Sequence, residues 1–229
     1  VKDQLIVDVI KQFTNHLSVN GMNNGIVKIM VTAGVGGRGY EAPDSPEPLI
    51  ICTSSYLPDN LQDQRQQGIS VRCCNYKLPN NQPLAGIKHL NRLDQVIARS
   101  EWNNENYGEG LLFNSENNLI EAISANIFIK NANGEWLTPD LSYAGINGVM
   151  RGLLIEKLFP DCGIAVKLAY IDFESLRTCQ ELFICNSIRG IIPINSIYNS
   201  IGDLVDTKAI GQQIFTLQTQ LRKNYPHYK

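Results

Sequence analysis

A chain of 229 residues with 43% apolar content can bury a substantial core, and its length suits one large domain or two small ones. Its 20 basic and 22 acidic residues leave a net charge of −2 and form no long runs, so there is no electrostatic footprint for nucleic acid or an anionic membrane; a small molecule is the default partner. No apolar run is long enough to span a bilayer, and the opening "VKDQLIVDVIKQF" lacks the hydrophobic core of a signal peptide.

The chain opens inside a helical pattern without an initiator methionine, which predicts that the native polypeptide starts earlier. In "VKDQLIVDVIKQFTNHL" the apolar residues Leu5, Ile6, Val9, Ile10, Phe13 and Leu17 recur at helical spacing, with Asn20-Gly21 as a stop. "GIVKIMVTAG" and "PLIICTSSY" are short β-branched runs bounded by Gly and Pro and predict two strands. The polar "LPDNLQDQRQQ" carries no apolar period; it is the candidate interdomain linker, with a short surface helix as the alternative. "GISVRCCNYKL" alternates Ile69, Val71 and Cys73 and predicts a strand leading through a Pro/Asn-rich turn to Lys88. From Asn91, taken as N-cap, the residues Leu93, Val96, Ile97 and Trp102 predict a helix with an apolar core face.

Two hairpins follow, "EGLLFNSENNLIEAIS" and "NIFIKNANGEWLTP", the second turning at Asn133-Gly134. "GINGVMRGLLIEKLF" reads as a glycine-rich entry to a helix, "IAVKLAYI" as a strand, and "DFESLRTC" as a short helix capped by Asp172. "ELFICNS" and "IIPINSI" read as strands, and the chain ends in a helix over about "TKAIGQQIFTLQTQLRK". Helices and antiparallel hairpins mix without a regular βαβ rhythm, which predicts an α+β fold. The expected division is a smaller N-terminal α/β domain over 1–56, a linker over 57–67 and a larger α+β domain over 68–229.

The six cysteines, at 52, 73, 74, 162, 179 and 185, include no Cys-x-x-Cys pair and have no histidine at metal-ligand spacing. They read as reduced, mostly buried thiols of a cytoplasmic protein, with no metal site. "GVGGRG", residues 34 to 39, formally matches the dinucleotide-binding fingerprint, but the next nine residues, "YEAPDSPEP", carry three prolines and cannot sustain the helix that meets a pyrophosphate. The glycines instead predict a tight loop that either carries Arg38 toward a ligand or leaves it a solvated charge.

Four segments stand in a consistent order: "AGIKHLNRLDQ" with Lys88, "LIEAISANIF" with Glu121, "AGINGVMR" at a helix entry, and "FICNSIRGIIP" at a strand end. Together they resemble the fold-type IV pyridoxal-phosphate enzymes, the family of branched-chain and D-amino-acid aminotransferases and aminodeoxychorismate lyases. The resemblance runs from about Gly25 to Pro193, and "GIKHLNRLDQVIARSEW", "GGRGY" and "AGINGVMR" are most similar to lyase members. It implies that the cofactor is pyridoxal 5'-phosphate, that Lys88 is the lysine that carries it and later acts as base, and that Glu121 keeps its ring nitrogen protonated. It further implies a phosphate cup from Gly148, Val149 and Met150 at a helix N-terminus, completed by Asn186 and Ser187. Arg38 is the candidate for a substrate carboxylate.

The bland competitors are an exposed charge for Lys88, a solvent-facing edge-strand residue for Glu121 and ordinary helix-entry glycines. Asn126 reads as strand support and His89 as a satisfied structural histidine; Arg92 and Arg151 are open between anion anchors and helix-surface charges. The implied reaction is conversion of 4-amino-4-deoxychorismate to 4-aminobenzoate and pyruvate in a homodimer. An aminotransferase on the same scaffold and a truncated non-catalytic member are the alternatives. The chain departs from the pattern in two places: nothing before Val1 supplies the family's N-terminal phosphate-binding arginine or lyase-associated threonine, and Ala33 stands where many relatives have an arginine.

Overall fold

The structure, a computed structural model, describes residues 3–103 and 106–228. It divides into two compact units between Asp59 and Asn60. In the first, α1 (Asp3–Val19) ends where Gly21 takes φ +86°, a left-handed conformation that suits glycine. Strands β1 (Ile26–Val31) and β2 (Ile50–Ser55) pair antiparallel, with Ile26 opposite Ser55 and Val31 opposite Ile50. Between them, residues 32–49 contain no helix or strand. Gly34 has φ +83°, and a Cβ there would lie 1.9 Å from the Glu47 carbonyl oxygen. The glycine run therefore builds a tight loop, without the helix that a dinucleotide fingerprint requires.

The second unit begins with α2 (Leu61–Gln67), within the stretch read as linker or surface helix. Leu61 and Arg65 on it are buried, and Gln218 Nε2 donates to the Arg65 carbonyl (2.8 Å). The strands are β3 (Ile69–Leu78), β4 (Glu109–Asn114), β5 (Leu119–Ala122), β6 (Asn126–Lys130), β7 (Trp136–Pro139), β8 (Val166–Ala169), β9 (Glu181–Asn186), β10 (Gly190–Tyr198) and β11 (Leu204–Thr207). They form one mixed sheet in the order β5-β4-β3-β10-β9-β6-β7-β8, with β11 on β10. Both predicted hairpins, β4–β5 and β6–β7, are antiparallel. The pairs β3–β4, β3–β10 and β7–β8 are parallel and join segments distant in sequence.

Helical segments flank this sheet: α3 (Leu93–Arg99), a run made of α4 (Val149–Leu153), a π-helical turn (Leu154–Leu158) and α5 (Phe159–Asp161), then α6 (Phe173–Thr178) and α7 (Gln212–Asn224). Asp172 caps α6 as predicted, accepting from Ser175 N at 2.7 Å. The main core sets Phe128, Trp136, Phe159 and Phe183 against Leu154, Leu158, Ile214, Leu217 and Leu221. Phe128 and Phe183 stack with centroids 5.0 Å apart. Among the described residues no helix is long and apolar enough to cross a membrane, and all six cysteines are free.

Two local expectations are corrected. Asn91 is not the cap of α3, where Arg92 occupies that position without a side-chain cap bond, and the predicted core face is turned outward: Leu93 is 62% and Val96 61% exposed. Polar residues take the inner side instead, because Tyr76 Oη donates to Asp94 and Gln95 reaches toward Glu121. Ala98 and, beyond the helix, Trp102 supply the apolar anchoring. The last helix starts at Gln212, later than periodicity indicates, since 204–207 pairs with β10. Gly211 precedes it because the Glu181 carboxyl occupies the space a side chain would fill, 1.9 Å from an ideal Cβ.

Candidate active site

Lys88 sits on an exposed loop between Gly86, which forms a parallel bridge with Ile146, and the start of α3. The bridge is closed from both sides: Gly86 N donates to the Gly145 carbonyl (2.9 Å) and Asn147 N to the Gly86 carbonyl (3.0 Å). The lysine loop and the glycine-rich entry to α4 are thereby tied together, although 60 positions separate Gly86 from Ile146 in the chain.

Glu121, on the short edge strand β5, is only 2% exposed, which removes the reading of a solvent-facing residue. Its Oε2 accepts from Ile146 N at 2.8 Å, and its Oε1 accepts from Gln95 Nε2 at 3.5 Å. Burial pushes its carboxyl up to about 7, against the opposing pull of the Ile146 N–H, the Arg92 charge, Gln95 and the Lys88 charge. Burial thus outweighs the charges of Arg92 and Lys88, and among the described residues Glu121 forms no ion pair. A pocket beside it is lined by Leu78, Leu84, His89, Arg92, Gln95 and Gly145. His89 turns inward there, and its Nδ1 is buried without a hydrogen-bond partner, so it is not the satisfied histidine expected. Arg92 Nε donates to the His89 carbonyl (3.1 Å), which braces the loop that follows Lys88.

The glycine-rich entry admits no bulk. Gly145 has φ +88°, and a Cβ on it would lie 2.7 Å from Ile120 Cγ2 and 3.2 Å from Glu121 Oε2. At Gly148 a Cβ would lie 2.2 Å from Asn126 Oδ1. Asn126 is buried and donates through Nδ2 to the Ile146 carbonyl (2.7 Å), so it supports the loop at the site as well as the strand. The first N–H groups of α4, at Val149 and Met150, have no intrahelical acceptor by position. Arg151 is buried rather than surface-exposed; it binds the Thr138 hydroxyl (3.3 Å), Asn147 Oδ1 (2.9 Å) and the Pro139 carbonyl (2.9 Å), fixing α4 to β7.

Asn186 and Ser187 end β9. The Asn186 side chain is engaged in the turn: its oxygen accepts from Ile188 N (3.0 Å) and Arg189 N (2.7 Å), and its amide donates to the Ser124 carbonyl (3.0 Å). It shapes the loop, and Ser187 is the exposed member of the pair. Arg38 lies on the exposed 32–49 loop of the first unit. Gln95 and Asn126 hold the site through partners 26 and 20 positions away, whereas Arg151 ties α4 to β7 through partners 4 to 13 positions away; Asn126 was legible as strand support and Arg151 as an open charge, but Gln95 gave no signal.

The mixed sheet with its flanking helices has the α+β architecture of fold type IV. The amino-transferase class IV family model matches residues 5–197, and the chain belongs to that family. It is 31% identical over 172 residues to an aminodeoxychorismate lyase of Vibrio harveyi, covering 75% of this chain and 62% of the relative. A branched-chain-amino-acid aminotransferase of Escherichia coli is 24% identical over 200 residues, covering 85% and 63%. The crystal structure of 4-amino-4-deoxychorismate lyase from Pseudomonas aeruginosa superposes with a TM-score of 0.83 at 31% identity, covering 95% of this chain and 77% of that one. The chain therefore spans less than two thirds of the length of these curated relatives.

Proposed function

We propose that this protein is a pyridoxal-phosphate-dependent lyase that converts 4-amino-4-deoxychorismate to 4-aminobenzoate and pyruvate. The observation that carries the cofactor reading is Glu121: a carboxyl group 2% exposed, fastened by the Ile146 N–H and the Gln95 amide and in no ion pair among the described residues, is suited to face the protonated nitrogen of a bound ring. The helix entry is compatible with that reading, since the N–H groups of Val149 and Met150 lack intrahelical acceptors by position, and Gly145 and Gly148 let Glu121 and Asn126 pack against the entry.

In this reading Lys88 holds the cofactor aldehyde, Glu121 the ring nitrogen, and Val149, Met150 and Ser187 the phosphate. Gly148 permits the close approach, and Asn186 keeps Ser187 in place. When bound, the cofactor supplies an electron sink that acidifies the ring carbon bearing the substrate nitrogen. The Lys88 amine takes the proton from that carbon. The carbon–oxygen bond to the enolpyruvyl group then breaks, the ring becomes aromatic, and the departing group is protonated to pyruvate. Arg38 is proposed to meet a substrate carboxylate.

The 31% identity to the Vibrio harveyi and Pseudomonas aeruginosa lyases supports the lyase reading, and the 29% identity to a putative branched-chain-amino-acid aminotransferase of Methanocaldococcus jannaschii makes the aminotransferase the second reading. Incubation with 4-amino-4-deoxychorismate and cofactor, without any keto acid, should yield 4-aminobenzoate and pyruvate in equal amounts. Amino transfer that appears only when a keto acid is added would replace the lyase with the aminotransferase. We further propose a homodimer acting in the cytoplasm, supported by the exposed apolar face of Leu90, Leu93, Val96 and Ile97 beside Lys88 and by six free thiols.

A further inference from the structure

We propose that the turn Pro226–Tyr228, acting through Tyr228 and Arg65, is a clamp that positions the candidate phosphate-binding loop at 186–190, so that phosphate affinity depends on a phenol outside the binding face. The inference rests on the assignment of Ser187 to the phosphate in the reading above.

A loop that offers hydroxyl and N–H groups to an anion must keep its carbonyl oxygens turned away and occupied. Here the Ser187 carbonyl accepts from Tyr228 Oη at 2.7 Å, while Ser187 itself is exposed. The next support comes from α2: Arg65 Nε donates to the Arg189 carbonyl (3.0 Å) and its Nη1 to the Tyr228 carbonyl (2.9 Å), with the guanidinium 5.7 Å from the Tyr228 ring centroid. Gln218 on α7 fixes that arrangement by donating to the carbonyls of Arg65 (2.8 Å) and Ile191 (3.0 Å).

Gly190 closes the loop at φ +71°, and an ideal Cβ there would come within 3.0 Å of Tyr228 Cδ1, so the ring lies directly against its backbone. The other flank is held independently. Asn186 ties the loop to the Ser124 carbonyl, and Arg189 binds the buried Glu109 carboxylate and the Ser124 hydroxyl (2.8 Å). Tyr228 is buried in the main core, a place that a phenylalanine ring would fill equally well. Its hydroxyl therefore has a specific task at Ser187 and not a packing task.

The test compares the intact protein with Tyr228→Phe, which keeps the ring, by measuring equilibrium binding of pyridoxal phosphate and of pyridoxal, which lacks the phosphate. Loss of one hydrogen bond to the loop should weaken pyridoxal phosphate about five-fold and leave pyridoxal affinity unchanged. Arg65→Lys, which cannot span both carbonyls, should show the same selective loss. Equal weakening of both ligands, or no change in either, would overturn the clamp while leaving the site assignment intact. Wild-type protein that binds the two ligands equally well would instead overturn the phosphate loop itself, and the clamp with it.

Discussion

Glu121 is a carboxyl group that burial holds at about 7, well above its ordinary 4.5. The sign of its effect on stability follows from linkage. In protein free of cofactor, the stabilisation is fully present below pH 4.5 and is lost as pH rises through 7, because the unfolded chain ionises first. Its magnitude is about 3 kcal/mol. Denaturant unfolding at pH 5 and pH 8 should show that decline in the wild type and a flatter profile in Glu121→Gln. Gln95, whose Nε2 faces Glu121 while its own Oε1 is buried without a partner, bears on the same group. Gln95→Leu removes a donor to the ionised form, so the midpoint of the stability decline should move to higher pH, read from the same unfolding series.

At the scale of elements, α3 carries the sharpest lesson about what a sequence reveals. Its helical period was readable, but its inward face was not, because Asp94 and Gln95 find their partners on Tyr76 and Glu121, strands away. The aliphatic residues were left outside. If that face is buried between two copies, Leu93→Asp with Val96→Asp should convert a dimer to a monomer in light scattering, at unchanged secondary structure by circular dichroism. The α4 entry was more legible: its glycines stand in a recognisable order, although the reason for Gly148 is the distant Asn126 Oδ1 at 2.2 Å from any Cβ. Gly148→Ala must displace Asn126 from the Ile146 carbonyl, and cofactor affinity should fall by about ten-fold or more in a spectroscopic titration. Local signals, such as the Asp172 cap and the Asn133-Gly134 hairpin, were read directly. Strand β11 and the start of α7 escaped because pairing to β10 and the Glu181 carboxyl decide them.

In the second unit, the bridge between Gly86 and Ile146, the hydrogen bonds of Glu121 and Asn126 to Ile146 and the antiparallel pair β6–β9 link the four separate segments. Order along the chain predicted the α+β class and most strands, whereas periodicity has no means of indicating which distant strands become neighbours. That convergence gives Lys88 its meaning: alone it is an exposed charge, and beside a buried Glu121 and a gated helix start it is the proposed cofactor-bearing amine. The direct test is a titration of the intact protein with pyridoxal phosphate, followed by its visible absorption. The account predicts a protein-bound cofactor band in the wild type that is absent in Lys88→Ala; the same band in both proteins would contradict it.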